Sequence, residues 1–161
     1  MQVRIRHATL EDLAAMLEWR GHSEFMRGAI RYEFGSICRG ETVVFLAVAE
    51  TELARTELVG TVQLVRGHDD PDLMRDAAYL QGLEVRETFR RQGIAKQLVE
   101  LLEDQARQDG RGRVTVMIEP DNDASLALFG NLGYQVFKHS IFVWDGQELP
   151  VVCLEKSVSK S

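Results

Sequence analysis

Long apolar runs are missing from this 161-residue chain, although 45% of its residues are hydrophobic. No stretch approaches the roughly 18 apolar residues of a membrane-spanning helix, so no membrane partner is expected. Cysteine is scarce. Cys38 and Cys153 stand far apart with no CxxC, which argues against a disulfide framework or a thiolate metal site. Both read as small, partly buried apolar side chains. His7, His22, His68 and His139 are scattered. None stands at i, i+4 with another ligand type, so no metal is expected. A basic excess is lacking too: 19 Lys and Arg stand against 25 Asp and Glu, a net charge of −6. That argues against a dedicated nucleic-acid binder. With three prolines, no repeats and no low-complexity segment, fibrous and linker-rich chains are excluded. What is left is a globular chain, read as a single domain over residues 1–161. Its opening, Met1-Gln2-Val3-Arg4-Ile5-Arg6, alternates like a strand rather than an apolar leader, so a cytoplasmic location is the expectation.

Local patterns divide the chain into elements. Val3 and Ile5 mark a short first strand. Thr9, with Asp12 three residues on, reads as the cap of a helix that ends near Arg20. Leu10, Leu13, Met16 and Leu17 share its apolar face. A second helix is read from Ser23 to Cys38, through Gly28 and Gly35. Thr42–Val48 and Glu57–Arg66 are strands, linked by Thr51–Arg55. Gly67 to Asp72 reads as a polar loop. The strand Ala77–Val85 contains Gly82, a place for a bulge or a close backbone approach.

The strongest helical periodicity belongs to Ile94, Leu98, Leu101, Leu102 and Ala106, between Gly93 and Asp109, with Gly110 just past the end. Arg113–Glu119 alternates as a strand and Pro120 stops it. One of Asp121, Asn122 or Asp123 caps a short helix carrying Leu126, Phe129 and Leu132. Two strands, Tyr134–Trp144 and Glu148–Val158, flank the hairpin signal Asp145-Gly146. The strand–helix–strand unit from Ala77 to Glu119 demands a right-handed crossover between parallel strands. The expected fold class is α/β in the mixed α+β sense: a mixed central sheet of about six or seven strands flanked by about four helices.

Chemistry concentrates in Val85-Arg86-Glu87-Thr88-Phe89-Arg90-Arg91-Gln92-Gly93-Ile94-Ala95. A strand ends, a basic loop follows, and Gly93 opens a long helix. The first amides of a helix have no internal acceptor, and the dipole adds partial positive charge there. Gly93 lets a phosphate approach the backbone, and Ala95 keeps the first turn free of bulk. Arg86, Arg90, Arg91 and Lys96 gather positive charge in an acidic chain. The stretch is neither a Walker loop nor a full GxGxxG.

Arg90-x-x-Gly93-x-Ala95 resembles the Q/R-x-x-G-x-G/A signature of the GCN5-related N-acetyltransferases. Val85 stands five residues before Arg90, as in that family, although Glu87 replaces a proline often found there. Asn122-Asp123-Ala124-Ser125-Leu126-Ala127-Leu128-Phe129-Gly130-Asn131-Leu132-Gly133-Tyr134 is similar to the family's second motif, N-x-x-A/S-x-x-x-Y-x-x-x-G-F/Y. Ile5 to Leu13 looks like its first strand and helix, and the element order matches over nearly the whole chain.

The resemblance implies that acetyl-CoA lies where the parallel strands Ala77–Val85 and Arg113–Glu119 splay apart. Backbone groups of Leu83, Glu84 and Val85 are then expected to pair with the pantetheine arm. Amides across Arg91, Gln92, Gly93, Ile94, Ala95 and Lys96, with Arg90, are expected to hold the pyrophosphate. Asn122 and Phe129 are expected to contact the cofactor. The implied reaction is direct acetyl transfer to a primary amine of a small molecule or peptide. Family habit allows a homodimer.

Three catalytic tasks follow. An ammonium must lose a proton, the thioester oxygen needs a donor, and the leaving thiolate needs a proton or tolerance. The Val85 N–H is the positional candidate for the oxyanion. Where the family often has a tyrosine acid, this chain has Phe129, which leaves Tyr134, Ser125 or water for that role. Glu119 and Glu84 are the candidate bases. Tyr79 stands where some members have a glutamate and is a poor base near neutral pH. Acceptor recognition is expected from Trp19 to Tyr32 and from His139 to Gln147, with Arg20, Glu24, Arg27, Arg31, Tyr32 and Trp144 as contacts. Two other readings compete: a non-catalytic acyl-CoA-binding sensor or partner module, and an unrelated anion-binding domain.

Overall fold

The computed structural model describes residues 2–67 and 70–159. Met1, and His68 and Asp69 from the predicted polar loop, lie outside the described residues. Seven strands are described: β1 (Val3–His7), β2 (Thr42–Glu50), β3 (Thr56–Val65), β4 (Ala77–Val85), β5 (Arg113–Ile118), β6 (Gln135–Trp144) and β7 (Gln147–Ser157). The helices are α1 (Leu13–Arg20), α2 (Glu24–Cys38), α3 (Pro71–Met74), α4 (Ile94–Gln108) and α5 (Asp123–Asn131), with 3₁₀ turns at Leu10–Asp12 and Glu87–Phe89. The strands form one sheet in the order β1-β2-β3-β4-β5-β7-β6. The mixed α/β class holds, with five helices rather than about four among the described residues. The additional one, α3, arises inside the stretch read as a loop. Asp70 caps it by accepting the Asp72 N–H at 2.9 Å, and Pro71 opens it. A proline at the first position costs a helix nothing, because that N–H is orphaned anyway. None of the described helices is long and apolar enough to cross a membrane.

The chain resolves into two compact units, Met1–Val65 with Gly82–Leu102, and Arg66–Gln81 with Glu103–Ser161. In the first, β1 pairs antiparallel with β2, from Val3↔Ala49 to His7↔Phe45. β2 pairs antiparallel with β3, with a bulge beside Ala47/Val48. One face of this ribbon buries Val44, Leu46 and Val48 with Met16, Ile30 and Phe34 from α1 and α2. Leu13 and Leu17 pack on the rim of that cluster, whereas Leu10 is 54% exposed and does not join the predicted stripe. Thr9 caps the 3₁₀ turn Leu10–Asp12 that leads into α1, whose own N-cap is Asp12, and the Thr9 N–H donates to Asp12 at 2.9 Å. Ser23 caps α2 by accepting the Met26 N–H at 3.1 Å. On the other face, Gly60 leaves room for α4: a Cβ there would stand 3.2 Å from Ile94 and 3.2 Å from Leu98.

In the second unit, β4 and β5 run parallel, and their registered pairs run from Ala77↔Arg113 to Leu80↔Val116. β5 pairs antiparallel with β7, and β7 with β6. The β6–β7 turn carries positive φ at both Asp145 (51°) and Gly146 (74°), the geometry that an Asp-Gly hairpin supplies. Thr115 Oγ1 donates to the Leu73 carbonyl at 2.7 Å, which ties α3 to β5. Cys153 is buried, and burial pushes its thiol up. Cys38, expected to be partly buried, is exposed instead, because it closes α2 at its solvent side.

Candidate functional site

The first unit holds the predicted anion site. Strand β4 ends at Val85, a 3₁₀ turn follows, and α4 begins at Ile94. Its first intrahelical bond runs from the Gln97 N–H to the Gly93 carbonyl at 3.0 Å. The amides of Ile94, Ala95 and Lys96 are thus without intrahelical acceptors. Arg91 and Gly93 both adopt left-handed backbone, with φ of 65° and 79°. Alternating left-handed residues turn successive N–H groups toward a common concavity, which suits an anion. A Cβ on Gly93 would meet nothing within 4 Å, so the approach to these amides is open. Arg91 is exposed and not a glycine, and such strain persists where the surroundings hold it. Gln92 and Lys96 are exposed beside it, Ala95 is half-buried, and Ile94 and Val85 are buried.

The basic cluster is smaller than the residue count suggests. Arg86 belongs elsewhere. Its N–H donates to the Val59 carbonyl at 2.7 Å, its Nε donates to the Leu58 carbonyl, and its guanidinium lies 4.7 Å over the Trp19 ring and 3.4 Å from Glu57. Those contacts fix it in a cleft of about 410 Å³ that Ala15, Glu18 and Thr56 also line. Arg90 folds back on its own strand: Nε donates to the Val85 carbonyl at 3.0 Å and Nη2 contacts Glu84 at 3.2 Å. Glu84, a candidate base, is therefore ion-paired. Lys96 lies 3.9 Å from Glu100 on the same helix, both exposed. Leu83 is half-buried in β4, just after Gly82, whose φ of 66° marks the irregularity read from the sequence.

The second unit holds the other candidates. β5 ends at Ile118, one residue short of the expected Glu119. Glu119 is exposed, and its carbonyl accepts the Asn122 N–H at 3.0 Å. Of the three possible caps, Asn122 is the one that acts: its side chain accepts the Ser125 N–H at 3.1 Å. Phe129 is 2% exposed and meets the Tyr134 ring edge-on at 5.1 Å. The Tyr134 hydroxyl donates to Glu103 at 2.8 Å, and Lys156 Nζ donates to both Glu103 oxygens at 3.1 Å. Burial, reinforced by Glu103, pushes the Tyr134 phenol far above its ordinary value. Tyr79 is buried too, and burial likewise raises its phenol. Among the acceptor candidates, Tyr32 is 68% exposed under the Arg39 guanidinium, and Trp144 stacks on Phe142 at 6.0 Å. Among the described residues, no group of three His, Cys, Asp or Glu side chains is placed to hold a metal ion.

Sequence reasoning missed Glu33. It lies on α2, and Gln63 Nε2 donates to its Oε2 at 2.6 Å. The two are 30 positions apart, so no local pattern links them. The one available signal was a glutamine inside the apolar strand Leu58–Val65, since a buried amide demands a partner.

Several known proteins resemble this chain. It is similar to "Probable N-acetyltransferase HLS1" of Arabidopsis thaliana, 44% identical over 62 residues, or 38% of this chain and 15% of that protein. It is 29% identical to N-alpha-acetyltransferase 30 of Saccharomyces cerevisiae over 92 residues, 55% of this chain and 52% of the yeast protein. The chain thus spans about half or less of these curated relatives. Its fold is shared by Arabidopsis thaliana NAA60 in complex with acetyl-CoA, with TM-score 0.77, 18% identity and coverage of 97% and 98% of the two chains. An N-acetyltransferase from Staphylococcus aureus Mu50 gives TM-score 0.76 at 18% identity, with 98% and 99% covered. A family model extends from residue 7 to residue 134, and by that match the chain belongs to the acetyltransferase (GNAT) family.

Proposed function

We infer that the protein transfers an acetyl group from acetyl-CoA to a primary amine. The observation that carries this reading is the start of α4, where Arg91 and Gly93 adopt left-handed backbone, the first helical amides have no intrahelical acceptor and the space beside Gly93 is open. A diphosphate is the anion such a helix start accepts, and the donor of this family carries one. On this reading Arg91, Gln92, Gly93, Ile94, Ala95 and Lys96 hold the pyrophosphate. Leu83, Glu84 and Val85 pair with the pantetheine amides, and the Val85 N–H donates to the thioester oxygen as charge grows there. Arg90 acts by tying the end of β4 through its bond to the Val85 carbonyl.

By the family resemblance Asn122 and Phe129 are assigned as further donor contacts and Glu119 and Glu84 as candidates for proton transfer, while the Tyr134 hydroxyl is engaged by Glu103. The acceptor is an α-amine of a peptide, in keeping with the relative named as an N-alpha-acetyltransferase. A small-molecule amine is the alternative. The protein acts in the cytoplasm, as one domain over residues 1–161. A second reading, an acyl-CoA-binding module without turnover, is favoured by one observation: Phe129 offers no proton and the Tyr134 hydroxyl is held in a hydrogen bond to Glu103.

Acetyl-CoA with a panel of peptides bearing free N-termini and of small primary amines, followed by mass spectrometry, separates the two. Acetylated product with release of CoA is the expected result. A thermal shift by CoA of roughly RT ln(1 + [L]/Kd) without any product establishes the binding module instead.

A further inference from the structure

One face of β3 carries polar side chains in an apolar setting. Thr61 is paired with Leu46 and Gln63 with Val44 across the β2–β3 ladder. Side chains of paired residues share a face. Thr61 and Gln63 therefore point into the layer where Val44 and Leu46 meet Met16, Ile30 and Phe34. Gln63 is 2% exposed and holds Glu33 of α2 at 2.6 Å. Arg20, the last residue of α1, acts on the same carboxylate by its charge. Gly82 of β4 closes the group. A Cβ there would lie 3.3 Å from the Gln63 amide nitrogen and 3.7 Å from Arg20 Nη1.

A further group in this layer is unfinished. Thr61 is fully buried, and its Oγ1 has no hydrogen-bond partner. Buried hydroxyls without partners are rare and destabilising. Gly82 is the residue immediately before Leu83, so the cluster adjoins the strand segment that the proposed function assigns to the donor.

Building on that proposed acetyl transfer, we propose that Glu33 is the general base of the reaction, held by the Gln63 amide within the field of Arg20. The acceptor ammonium gives one proton to the Glu33 carboxylate. The freed nitrogen lone pair forms the C–N bond to the thioester carbonyl carbon, whose π electrons move to oxygen beside the Val85 N–H. When the carbonyl reforms, the C–S bond breaks and sulfur leaves with the electron pair. The second ammonium proton passes to that thiolate, giving CoA thiol and the N-acetyl amide, and Glu33 later returns its proton to solvent. Burial holds the Glu33 carboxyl above its ordinary value, against the opposing effects of the Gln63 bond and the Arg20 charge. A base is most effective when its pKa approaches the working pH. The groups that act on it are Arg20 from α1, by its charge, and Gln63 from β3, by its hydrogen bond, and Gly82 of β4 lies against both of these partners.

The test measures kcat/KM across pH with acetyl-CoA and the best amine of the panel, for wild type, Glu33→Gln and Gln63→Met. Loss of a positioned base is expected to cost about 10² to 10⁴-fold in rate for Glu33→Gln, with the acidic limb of the wild-type profile abolished. The thermal shift produced by CoA should stay unchanged. Gln63→Met removes a bond that lowers the Glu33 pKa, so its acidic limb should move to higher pH, which a purely structural role would not produce. If Glu33→Gln does not fold, the direction of the Gln63→Met limb decides alone. A Glu33→Gln enzyme with wild-type rate and limb, or a Gln63→Met limb that does not move, overturns the assignment while leaving acetyl transfer intact. A wild-type protein that binds CoA and acetylates nothing overturns both.

Discussion

The Tyr134 hydroxyl donates a hydrogen bond to Glu103 across 2.8 Å, and both side chains are almost wholly buried. The pair does structural work: it satisfies a carboxylate on α4 that Lys156 of β7 also holds at 3.1 Å. Tyr134→Phe should therefore lower stability by about 1–3 kcal/mol, the range for a lost hydrogen bond to a charged group. Turnover, compared at a temperature where both proteins are folded, should stay within about tenfold of wild type. A loss of about 10² or more with intact CoA binding would instead make Tyr134 the acid for the leaving thiolate.

Gly93→Glu should abolish the thermal shift given by CoA, because a carboxylate would stand where the diphosphate is expected. Gly93→Ala separates backbone from charge. Its Cβ meets nothing within 4 Å, but φ of 79° strains any L residue. It should cost roughly 1–2 kcal/mol in stability and retain measurable CoA binding.

Phe129→Tyr places a hydroxyl at a site only 2% exposed, against the Tyr134 ring. An unpartnered hydroxyl there should cost about 1–3 kcal/mol. Turnover should remain within about threefold of wild type. A gain of about 10²-fold would mean that the native protein works without a tuned acid and that this position can supply one.

Asp12 reports on acid stability. The Arg6 guanidinium grips it with two bonds, 2.9 and 2.8 Å, and holds its carboxyl below the ordinary value, helped by the Thr9 N–H. A carboxyl depressed in the folded state adds stability that is fully present above its unfolded pKa of about 4, and that is lost as pH falls through the lower folded value. Asp12→Asn should therefore melt lower than wild type at pH 7, by roughly 1 kcal/mol given the partial exposure of Arg6. The difference should shrink below about pH 4. Thermal melts at several pH values check it, and an equal deficit at pH 2.5 would contradict the ion-pair account.

Local signals were legible where chemistry and geometry act within one turn of chain. The periodicity of Ile94, Leu98, Leu102 and Ala106 drew α4 nearly to its ends, and Asp145-Gly146 placed the last hairpin. The Asp70-Pro71 pair also carried a helix-start signal, yet the surrounding polar residues made it read as loop. Charge counting misled at Arg86. Composition records that a guanidinium is present, but its direction is set by Trp19 and Glu57, far away in sequence. Glu33 was illegible for the same reason, since its partner Gln63 reaches it through the pairing of whole elements. The choice among Asp121, Asn122 and Asp123 turned on one backbone bond, from the Ser125 N–H, which side-chain type alone does not decide.

Gly60 touches no ligand group, yet it sets the seat of α4 on the sheet. With Ala47 Cβ, Ile94 and Leu98 all within 3.2 Å of where its side chain would begin, a side chain here would press on the first turn of the helix. The amides of Ile94, Ala95 and Lys96 belong to that turn. The height of this helix start is thus set from beneath, by the thickness of a single backbone, and if the proposed donor site is right, a change at position 60 should be felt as altered donor affinity rather than as a missing contact.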